Sequence, residues 1–339
     1  MWRPLALLCA SVLSSVIGAM PSQAALNLTF TTIDFPGAAW TIPYGINRQD
    51  PLGFTEIVGS YGDITGKHGF LLAGGHYTTI DVPATLGKNT EAFGINDLGQ
   101  IVGTYDDNAS QKQGFVLESG TFTGTHVCFF GESGVVQAHG ISNGGIIVGS
   151  YFNTEDQGNS QLAGAEYSTN PFHCLGSYAF PKPGANPPHM KATELYGVPT
   201  NQTVETPLVG YYADEAENGH TSYHGAVIYT GSGGGYTTLD YPGASDTWAR
   251  GINNRSQIVG YFGLFDGDNR INEHIHGFMW SEFGGFDQID YPGSSSTEVY
   301  GINNLGIVAG RYDIVGYFVD AEGTGHGFSA RISEGGGSK

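Results

Sequence analysis

Hydrophobic and aromatic residues come in short runs along this chain, and each run is bounded by glycine, asparagine or aspartate. In the clearest stretch the runs are "TEAFGIN" (90–96), "QIVGTY" (100–105), "QGFVL" (113–117) and "GTFTGTHV" (120–127). Runs of this length, rich in β-branched and aromatic residues, are typical of β-strands, and the Asn-Asp-Leu-Gly junction suits a tight hairpin turn. The pattern therefore predicts a unit of four short strands.

The unit recurs six times along the chain. Aligned on the glycine of "GIN" and its variants, the copies begin at Gly45, Gly94, Gly140, Gly197, Gly251 and Gly301, and they are spaced 46 to 57 residues apart. This period is that of β-propeller blades in the kelch size class. Copies three and four, which read "GISNGG" and "GVPTNQ", depart from the pattern, so the strand register over residues 152–200 stays open.

The phase of the repeat predicts how the ring closes. The stretch "FTTIDFP" near the amino terminus matches an outer strand, and "HGFSARI" near the carboxyl terminus matches a third strand. Since an open solenoid needs capping units and none is evident, we expect the two termini to complete one blade. The prediction is an all-β single propeller of six four-stranded blades, with seven blades or an irregular stack as the alternatives.

A second glycine marks the second strand of each unit. It ends "IVG" or a variant, and its positions are Gly59, Gly103, Gly149, Gly210, Gly260 and Gly310. We expect this glycine to let adjacent sheets approach closely near the axis, where a side chain would clash.

Composition supports the β fold, and the amino-terminal segment indicates where the protein is located. The chain has 54 glycines, 19 tyrosines and 19 phenylalanines with only 13% charged residues, which fits many strands and tight turns. Residues 1–24 have Arg3, an apolar run from Leu5 to Ala19 and small residues before Ala25, which is the pattern of a secretory signal peptide. A membrane anchor is the weaker alternative, because the run is shorter than the roughly 20 residues a bilayer requires. We expect a secreted or periplasmic protein, with the propeller over residues 25–332 and a flexible Gly-rich tail over 333–339.

The repeat resembles a known family. The stretches "YTTIDVP" (77–83) and "AFGINDLGQIVGTYDD" (92–107) are similar to the HAF-type probable extracellular repeat of secreted bacterial proteins. The resemblance covers nearly all of the chain after residue 24. It implies a propeller-like β fold outside the cytoplasm, and it supplies no catalytic residues.

The net charge limits the kinds of binding partner that we expect. The formal net charge of −19 argues against nucleic acid, whose phosphates require a basic surface. The densest acidic loop, residues 266–276, contains Asp266, Asp268 and Glu273, whose oxygens are candidate calcium ligands. The loop lacks the order of ligands of an EF-hand, and the alternative is that these residues cap turns. No other cofactor is indicated.

Two further residue types have structural interpretations. Cys128 and Cys174 remain after removal of the signal peptide, and in an oxidising compartment they either form a disulfide or stay apart, depending on blade geometry. The histidines of the repeated "HGF" and "HGA" motifs, His68, His224, His276 and His326, occupy equivalent places in different blades. We expect them to form structural hydrogen bonds rather than a metal site.

The loops after the second and fourth strands are expected to share one face of the propeller, which is the predicted working surface. Trp40 and Trp248 follow the "PGA" crossovers and are expected on this face, and with Asp246 and Arg250 they form the candidate ligand-binding set. Exposed tryptophan can stack on sugars or anchor a protein, although packing between blades is the alternative. The leading hypothesis is a non-enzymatic protein that binds a polysaccharide or a protein partner. A glycan-acting enzyme with carboxylates near the axis and a structural envelope component are the alternatives, and the oligomeric state is undetermined.

Overall fold

The computed structural model describes residues 26–47, 55–125, 136–153, 161–169, 172–178, 190–201, 207–215, 221–230, 235–264, 274–304, 311–321 and 323–333. All regular structure in these ranges is β-strand. None of the described segments forms a helix that could cross a membrane. The predicted signal peptide and residues 334–339 of the predicted tail lie outside these ranges, so both stay predictions.

The strands follow the sequence runs closely. In chain order they are β1 (Asn27–Ile33), β2 (Trp40–Ile46), β3 (Ile57–Asp63), β4 (Gly66–Ala73), β5 (His76–Ile80), β6 (Gly87–Ile95), β7 (Ile101–Asp107), β8 (Lys112–Glu118), β9 (Thr121–Thr125), β10 (Val136–Ile141), β11 (Ile146–Asn153), β12 (Gln161–Thr169), β13 (Phe172–Tyr178), β14 (Met190–Gly197), β15 (Leu208–Glu215), β16 (Thr221–Tyr229), β17 (Gly235–Thr238), β18 (Asp246–Ile252), β19 (Ile258–Leu264), β20 (His274–Ser281), β21 (Gly285–Ile289), β22 (Ser296–Ile302), β23 (Arg311–Val319) and β24 (Gly325–Ser333).

These strands form a β-propeller, as predicted, but by hydrogen bonding they fall into five sheets rather than six. Four sheets have four strands each: β2 to β5, β6 to β9, β18 to β21, and β22 to β24 with β1. The fifth has eight strands, because β10 to β13 and β14 to β17 are joined by a single parallel pair, Leu162 with Ala192. Each half of the eight-stranded sheet is itself a four-stranded antiparallel unit, and we count it as a blade. The fusion falls in the region where the repeat departs from its pattern.

The predicted ring closure is present. Strand β1 pairs antiparallel with β24 over seven residue pairs, from Asn27 with Ser333 to Ile33 with Gly327. The amino-terminal strand is therefore the outer strand of the last blade. Because β1 and β24 are neighbouring strands of one sheet, the ring closes at this blade and no capping unit is needed there.

The hydrophobic core lies between neighbouring blades. One cluster combines Val58 and Ile80 of the first blade with Ala92 and Phe115 of the second. A further cluster joins the fifth and sixth blades in the same way, through residues that include Ile289 and Phe328. Each sheet is thus covered on both faces by its neighbours, which explains why the inner-hairpin strands contain continuous apolar runs such as "IVG" and "GI".

The reason for the second-strand glycine is different from the one predicted. A Cβ placed at Gly103 would collide with the carbonyl oxygen of Glu91 and lie 2.8 Å from the ring of Phe115, both in the same blade. The glycine that meets the next blade is instead the one that opens the repeat. At Gly94, a Cβ would lie 2.7 Å from the carbonyl oxygen of His139 and 3.1 Å from the Cα of Gly140 on the neighbouring inner strand.

The structure also corrects the repeat assignment in the last blade. The predicted second-strand glycine there is Gly310, in "VAG", but Gly316 of "DIVG" pairs with Val299. This register matches that of Gly103, which pairs with Ala92 in the second blade. The sequence offers two similar tripeptides six residues apart, and Gly310 has the nine-residue distance from the motif glycine that three other repeats show, so the spacing favours the wrong one. Gly310 itself lies outside the described residues.

The repeated histidines are structural, as predicted. The Nδ1 atom of each lies 2.7–3.1 Å from a carboxylate oxygen of the aspartate that follows the outer strand of the same blade. The four pairs are His68 with Asp81, His224 with Asp240, His276 with Asp290, and His326 with Asp34. Each pair fixes the start of the crossover to the third strand, and the last pair does so across the ring closure.

Candidate functional site

Every inner strand has a β-bulge at the residue before the motif glycine. In the second blade, for example, the register shifts between Ala92 and Gly94, so Phe93 has no partner on β7. A bulge re-aims the side chain of the extra residue. The six bulged residues are Tyr44, Phe93, His139, Tyr196, Arg250 and Tyr300.

The six bulged side chains meet around the propeller axis. Consecutive ring centroids are 5.1 Å apart for Tyr300 and Tyr44, 4.8 Å for Tyr44 and Phe93, 5.2 Å for Phe93 and His139, and 4.1 Å for His139 and Tyr196. The guanidinium carbon of Arg250 lies 3.9 Å from the centre of the Tyr196 ring. Tyr261 completes the circuit, because it accepts a hydrogen bond from Arg250 Nη2 and its ring lies 5.9 Å from that of Tyr300. We call these six bulged residues the axial ring.

Three glutamates stand two residues before the axial ring on alternate blades. Glu91 forms ion pairs with Lys67 and Lys112, each at 3.0 Å. Glu194 accepts hydrogen bonds from the hydroxyls of Tyr196, at 2.5 Å, and of Tyr211, at 2.7 Å. Glu298 accepts a hydrogen bond from the Tyr300 hydroxyl. Glu194 and Glu298 therefore hold Tyr196 and Tyr300 of the axial ring, and Tyr211 of a neighbouring strand, in fixed orientations.

The axial ring encloses a cavity of about 270 Å³. Its walls are the axial ring, the motif glycines, the apolar residues that follow them and Glu91. At the hairpin end of the axis, turns of different blades are tied together: Asn304 Nδ2 donates to Thr200 Oγ1 at 2.6 Å, and the Asn143 amide donates to the Thr200 carbonyl at 2.8 Å. We call this space the axial cavity.

Burial fixes the protonation of the ring. Burial raises the pKa of Tyr261 to about 12, although Arg250 opposes the shift, so its hydroxyl stays protonated at neutral pH. Burial lowers the pKa of His139, although the charge of Glu194 opposes this change. The His139 imidazole is therefore neutral, and its Nδ1 donates to the Leu195 carbonyl at 2.9 Å. Uncharged donors, aromatic faces, the Arg250 cation and the lysine-paired carboxylate of Glu91 thus surround the axial cavity.

The two halves of the propeller contribute differently to this site. At the position after the second-strand glycine, the first three blades have the small residues Ser60, Thr104 and Ser150, whereas the last three have Tyr211, Tyr261 and Tyr317. Tyr211 and Tyr261 reach the Arg250 guanidinium, with centroid distances of 5.5 and 5.1 Å. Arg250 consequently lies in a tyrosine-lined wall.

The four predicted ligand-binding residues have separate positions. Arg250 lines the axial cavity. Trp248 is half-buried, with its ring 4.9 Å from that of Tyr261 and 5.3 Å from that of Tyr223 in the preceding blade. Asp246 is buried, and its Oδ1 accepts a hydrogen bond from the Tyr223 amide at 2.7 Å.

Trp40, the fourth predicted residue, starts β2 and is half-buried, and its ring packs on Gly62 of the adjacent strand. The predicted metal ligands Asp266, Asp268 and Glu273 lie outside the described residues. Over the part of the chain that is described, no group of three or more His, Cys, Asp or Glu residues is arranged to hold a metal ion. Cys174 lies in β13 but Cys128 is outside the described ranges, so their disulfide stays a prediction.

The sequence contained a signal for the axial ring that motif reasoning missed. The residue before the motif glycine reads Tyr, Phe, His, Tyr, Arg and Tyr in the six repeats, and the residue two positions earlier is Glu in three of them. About half of the positions of the inner strand hardly vary among the six repeats. Against that background, a position that is aromatic in five repeats and arginine in one is unusual. The strand alternation alone could not place it on the axis, because the bulge changes which way the residue points.

Several solved structures are similar to this chain along most of its length, at low sequence identity. The fucose lectin of Aleuria aurantia, described as a six-bladed β-propeller, has 13% identity and a TM-score of 0.49, with 86% of this chain and 93% of that chain covered. A subtype N11 neuraminidase-like protein of a flat-faced bat isolate has 11% identity and a TM-score of 0.47, covering 94% and 96%. A GH62 hydrolase in complex with xylotriose has 10% identity and a TM-score of 0.43, covering 91% and 97%.

These values are too low to transfer a ligand or an activity to this chain. No family model matches the sequence. No curated protein matches it either. The functional argument therefore depends on the axial cavity itself.

Proposed function

We propose that this protein is a secreted, non-enzymatic propeller that binds a glycan by receiving one sugar unit in the axial cavity. The observation that supports this proposal is the axial ring, in which aromatic faces and fixed polar groups from six separate blades converge on one small space. Sugars present both C–H faces and hydroxyls, and a site for them needs the same combination. A cavity of about 270 Å³ is slightly smaller than the ~300–1,000 Å³ usual for ligand sites, so it suits a single unit.

Entry to the axial cavity is proposed from the loop face, because the hairpin end is tied by the Asn304–Thr200 bond. Trp248 stands on the inner strand two residues before Arg250, at the place that Glu194 and Glu298 hold in their own blades. It therefore lies on the loop-face side of the axial ring, where a further sugar of the same chain would pass. This arrangement retains the predicted loop-face tryptophan as an accessory contact.

The test is binding of the purified protein to a panel of monosaccharides and oligosaccharides by isothermal titration calorimetry. Phe93→Leu removes an aromatic face from the axial cavity while keeping apolar volume. An aromatic contact contributes about 0.5–1.5 kcal/mol, so we expect Kd to rise roughly two- to twelvefold. The matched control is Phe122→Leu, since Phe122 packs on Phe115 at 5.3 Å in the outer part of the same blade. The proposal fails if no sugar binds, or if both variants bind as the wild type does.

A glycan-acting enzyme is the second candidate, and a specific arrangement favours it. Glu194 and Glu298 lie two residues before the axial ring on inner strands of alternate blades. The carboxylate of each accepts a hydrogen bond from a tyrosine hydroxyl. Two carboxylates flanking a sugar are the usual machinery of glycoside hydrolysis. Release of reducing ends from any bound oligosaccharide, abolished by Glu194→Gln with binding retained, would establish this activity in place of binding alone.

A further inference from the structure

Arg250 departs from the other members of the axial ring. The five other bulged residues are aromatic, and Arg250 alone brings a positive charge to the axial cavity. The repeat therefore folds with an aromatic side chain at this place, and the fold itself does not require an arginine there. The chemistry of the guanidinium group should explain its presence.

The charge of Arg250 is not balanced by the residues it touches. Its hydrogen bond goes to the neutral hydroxyl of Tyr261, and its other close neighbours are the rings of Tyr196 and Tyr211. Among the described ion pairs, none includes Arg250. Its Nε atom is buried and makes no hydrogen bond to any described group. An unsatisfied donor and an unpaired charge in such a place cost stability, so a function for them is expected.

The nearby carboxylates are occupied with other partners. Both oxygens of Glu194 accept hydrogen bonds from tyrosine hydroxyls. Both oxygens of Glu91 are paired with lysines. Glu298 accepts a hydrogen bond from the Tyr300 hydroxyl. Glu194 and Glu298 thus hold tyrosines and Glu91 is paired with lysines, and none of the described ion pairs joins one of these carboxylates to the Arg250 guanidinium.

We propose that the axial cavity selects sugars that have a carboxylate, and that Arg250 binds the carboxylate. The proposal rests on the proposed function, since it names the class of glycan that this cavity would take. A planar carboxylate can accept two parallel hydrogen bonds from the fork of a guanidinium group. The ammonium group of a lysine does not offer this geometry. The ring of Tyr196 beneath the guanidinium holds it in place by a cation–π contact at 3.9 Å.

The experiment compares three ligands that differ only in the group at C6, which is a carboxylate, a methyl ester or a hydroxymethyl group. Galacturonic acid, its methyl ester and galactose are titrated into the purified protein, and glucuronic acid with its ester and glucose repeat the comparison for the other common epimer. We expect the acid to bind about ten- to a hundredfold more tightly than its ester or the neutral sugar, which is the usual strength of a charge-assisted hydrogen-bond pair. Oligogalacturonate is included to distinguish a unit inside a polymer from a free terminal unit.

The decisive variant is Arg250→Tyr, which installs the residue that three other blades have at this place. It should fold, which a thermal melt checks, and it should bind the acid and the ester equally. Arg255→Gln, in the exposed turn after the same strand, is the matched control and should keep the preference for the acid. Equal affinity of the wild type for acid, ester and neutral sugar would overturn this proposal and leave glycan binding intact. Absence of binding to every sugar would instead refute the proposed function.

Discussion

The motif glycine Gly94 approaches the backbone of the next blade closely, and the energetic contribution of this contact can be tested with a single methyl group. In Gly94→Ala, the new Cβ would lie 2.7 Å from the His139 carbonyl oxygen and 3.1 Å from the Gly140 Cα. Ordinary van der Waals contact begins at 3.4 Å, and both of these atoms are backbone of the next blade. The second and third blades must therefore separate by several tenths of an ångström at the axis.

The size of the effect follows from two opposing terms. Overpacking of a close-packed region costs about 1–3 kcal/mol. Replacing glycine by alanine also reduces the freedom of the unfolded chain, which stabilises by about 0.4–1 kcal/mol. Gly124→Ala, in β9 of the same blade, isolates the second term, because a Cβ there has no atom within 4 Å. The difference in the free energy of unfolding between the two variants is therefore expected to be the overpacking term alone, about 1–3 kcal/mol.

The assay is urea denaturation of both variants and the wild type, followed by intrinsic tryptophan fluorescence and by far-UV circular dichroism. We expect Gly124→Ala to unfold at the same or a higher midpoint than the wild type, and Gly94→Ala at a clearly lower one. Equal midpoints for the two variants would show that the blades are not held at contact distance at this glycine, and would refute the account of the axial approach given above.

Two further predictions concern the joints of the ring. Partial burial lowers the pKa of His326, but its hydrogen bonds with Asp34 and Asp320 outweigh burial and raise the pKa above its usual value. The folded state thus favours the protonated form, so this stabilisation is complete below the unfolded-state pKa of about 6.5 and is lost as the pH rises through the folded-state pKa. Melting temperatures of His326→Gln should fall below those of the wild type at pH 5.5 and approach them at pH 8.5, and a difference that does not shrink as the pH rises would contradict this account. For the joint on the other face, Asn303→Ala removes a buried hydrogen bond from Nδ2 to the Asn47 carbonyl, which links the last blade to the first at 3.0 Å. Its unfolding free energy should drop by about 1–3 kcal/mol, against less than about 0.5 for the exposed Asn108→Ala, and a drop no larger than that control would contradict a closing role.

The sequence was sufficient for the architecture because each strand signal was local and repeated. The hairpin of Ile95 and Ile101, the outer strands that end before an Asp-x-Pro crossover, and the pairing of β1 with β24 all follow from runs whose meaning does not depend on distant residues. The repeated threonine of the inner strand shows how consistent this local design is. Its Oγ1 accepts the amide of the crossover residue at 2.9 Å for Thr41 with Phe35, and at 3.0 Å for Thr247 with Tyr241.

Prediction failed where two local patterns competed or where a tertiary contact intervened. "VAG" at Gly310 and "IVG" at Gly316 are similar apolar tripeptides, and the pairing with Val299 selects the second. The fusion of two blades into one sheet depends on a single pair, Leu162 with Ala192, which no strand propensity can reveal. Both failures concern how strands are brought together, and neither concerns which residues form strands.

The axial ring illustrates a more general limit of sequence reasoning for this chain. The repeat pattern favours the loop face as the working surface because loops of all blades lie together there, yet the bulged position varies inside a strand whose neighbours hardly change. The flanking glycines and threonines are constrained by contacts with the next blade and with the crossover, as Gly94 and Thr41 show. The bulged residue has no partner on the adjacent strand, so it can change from tyrosine to histidine to arginine without loss of the sheet. In a propeller built from copies, chemistry is most readily acquired at such a position, because six copies of it face one axis and each can be altered independently of the others.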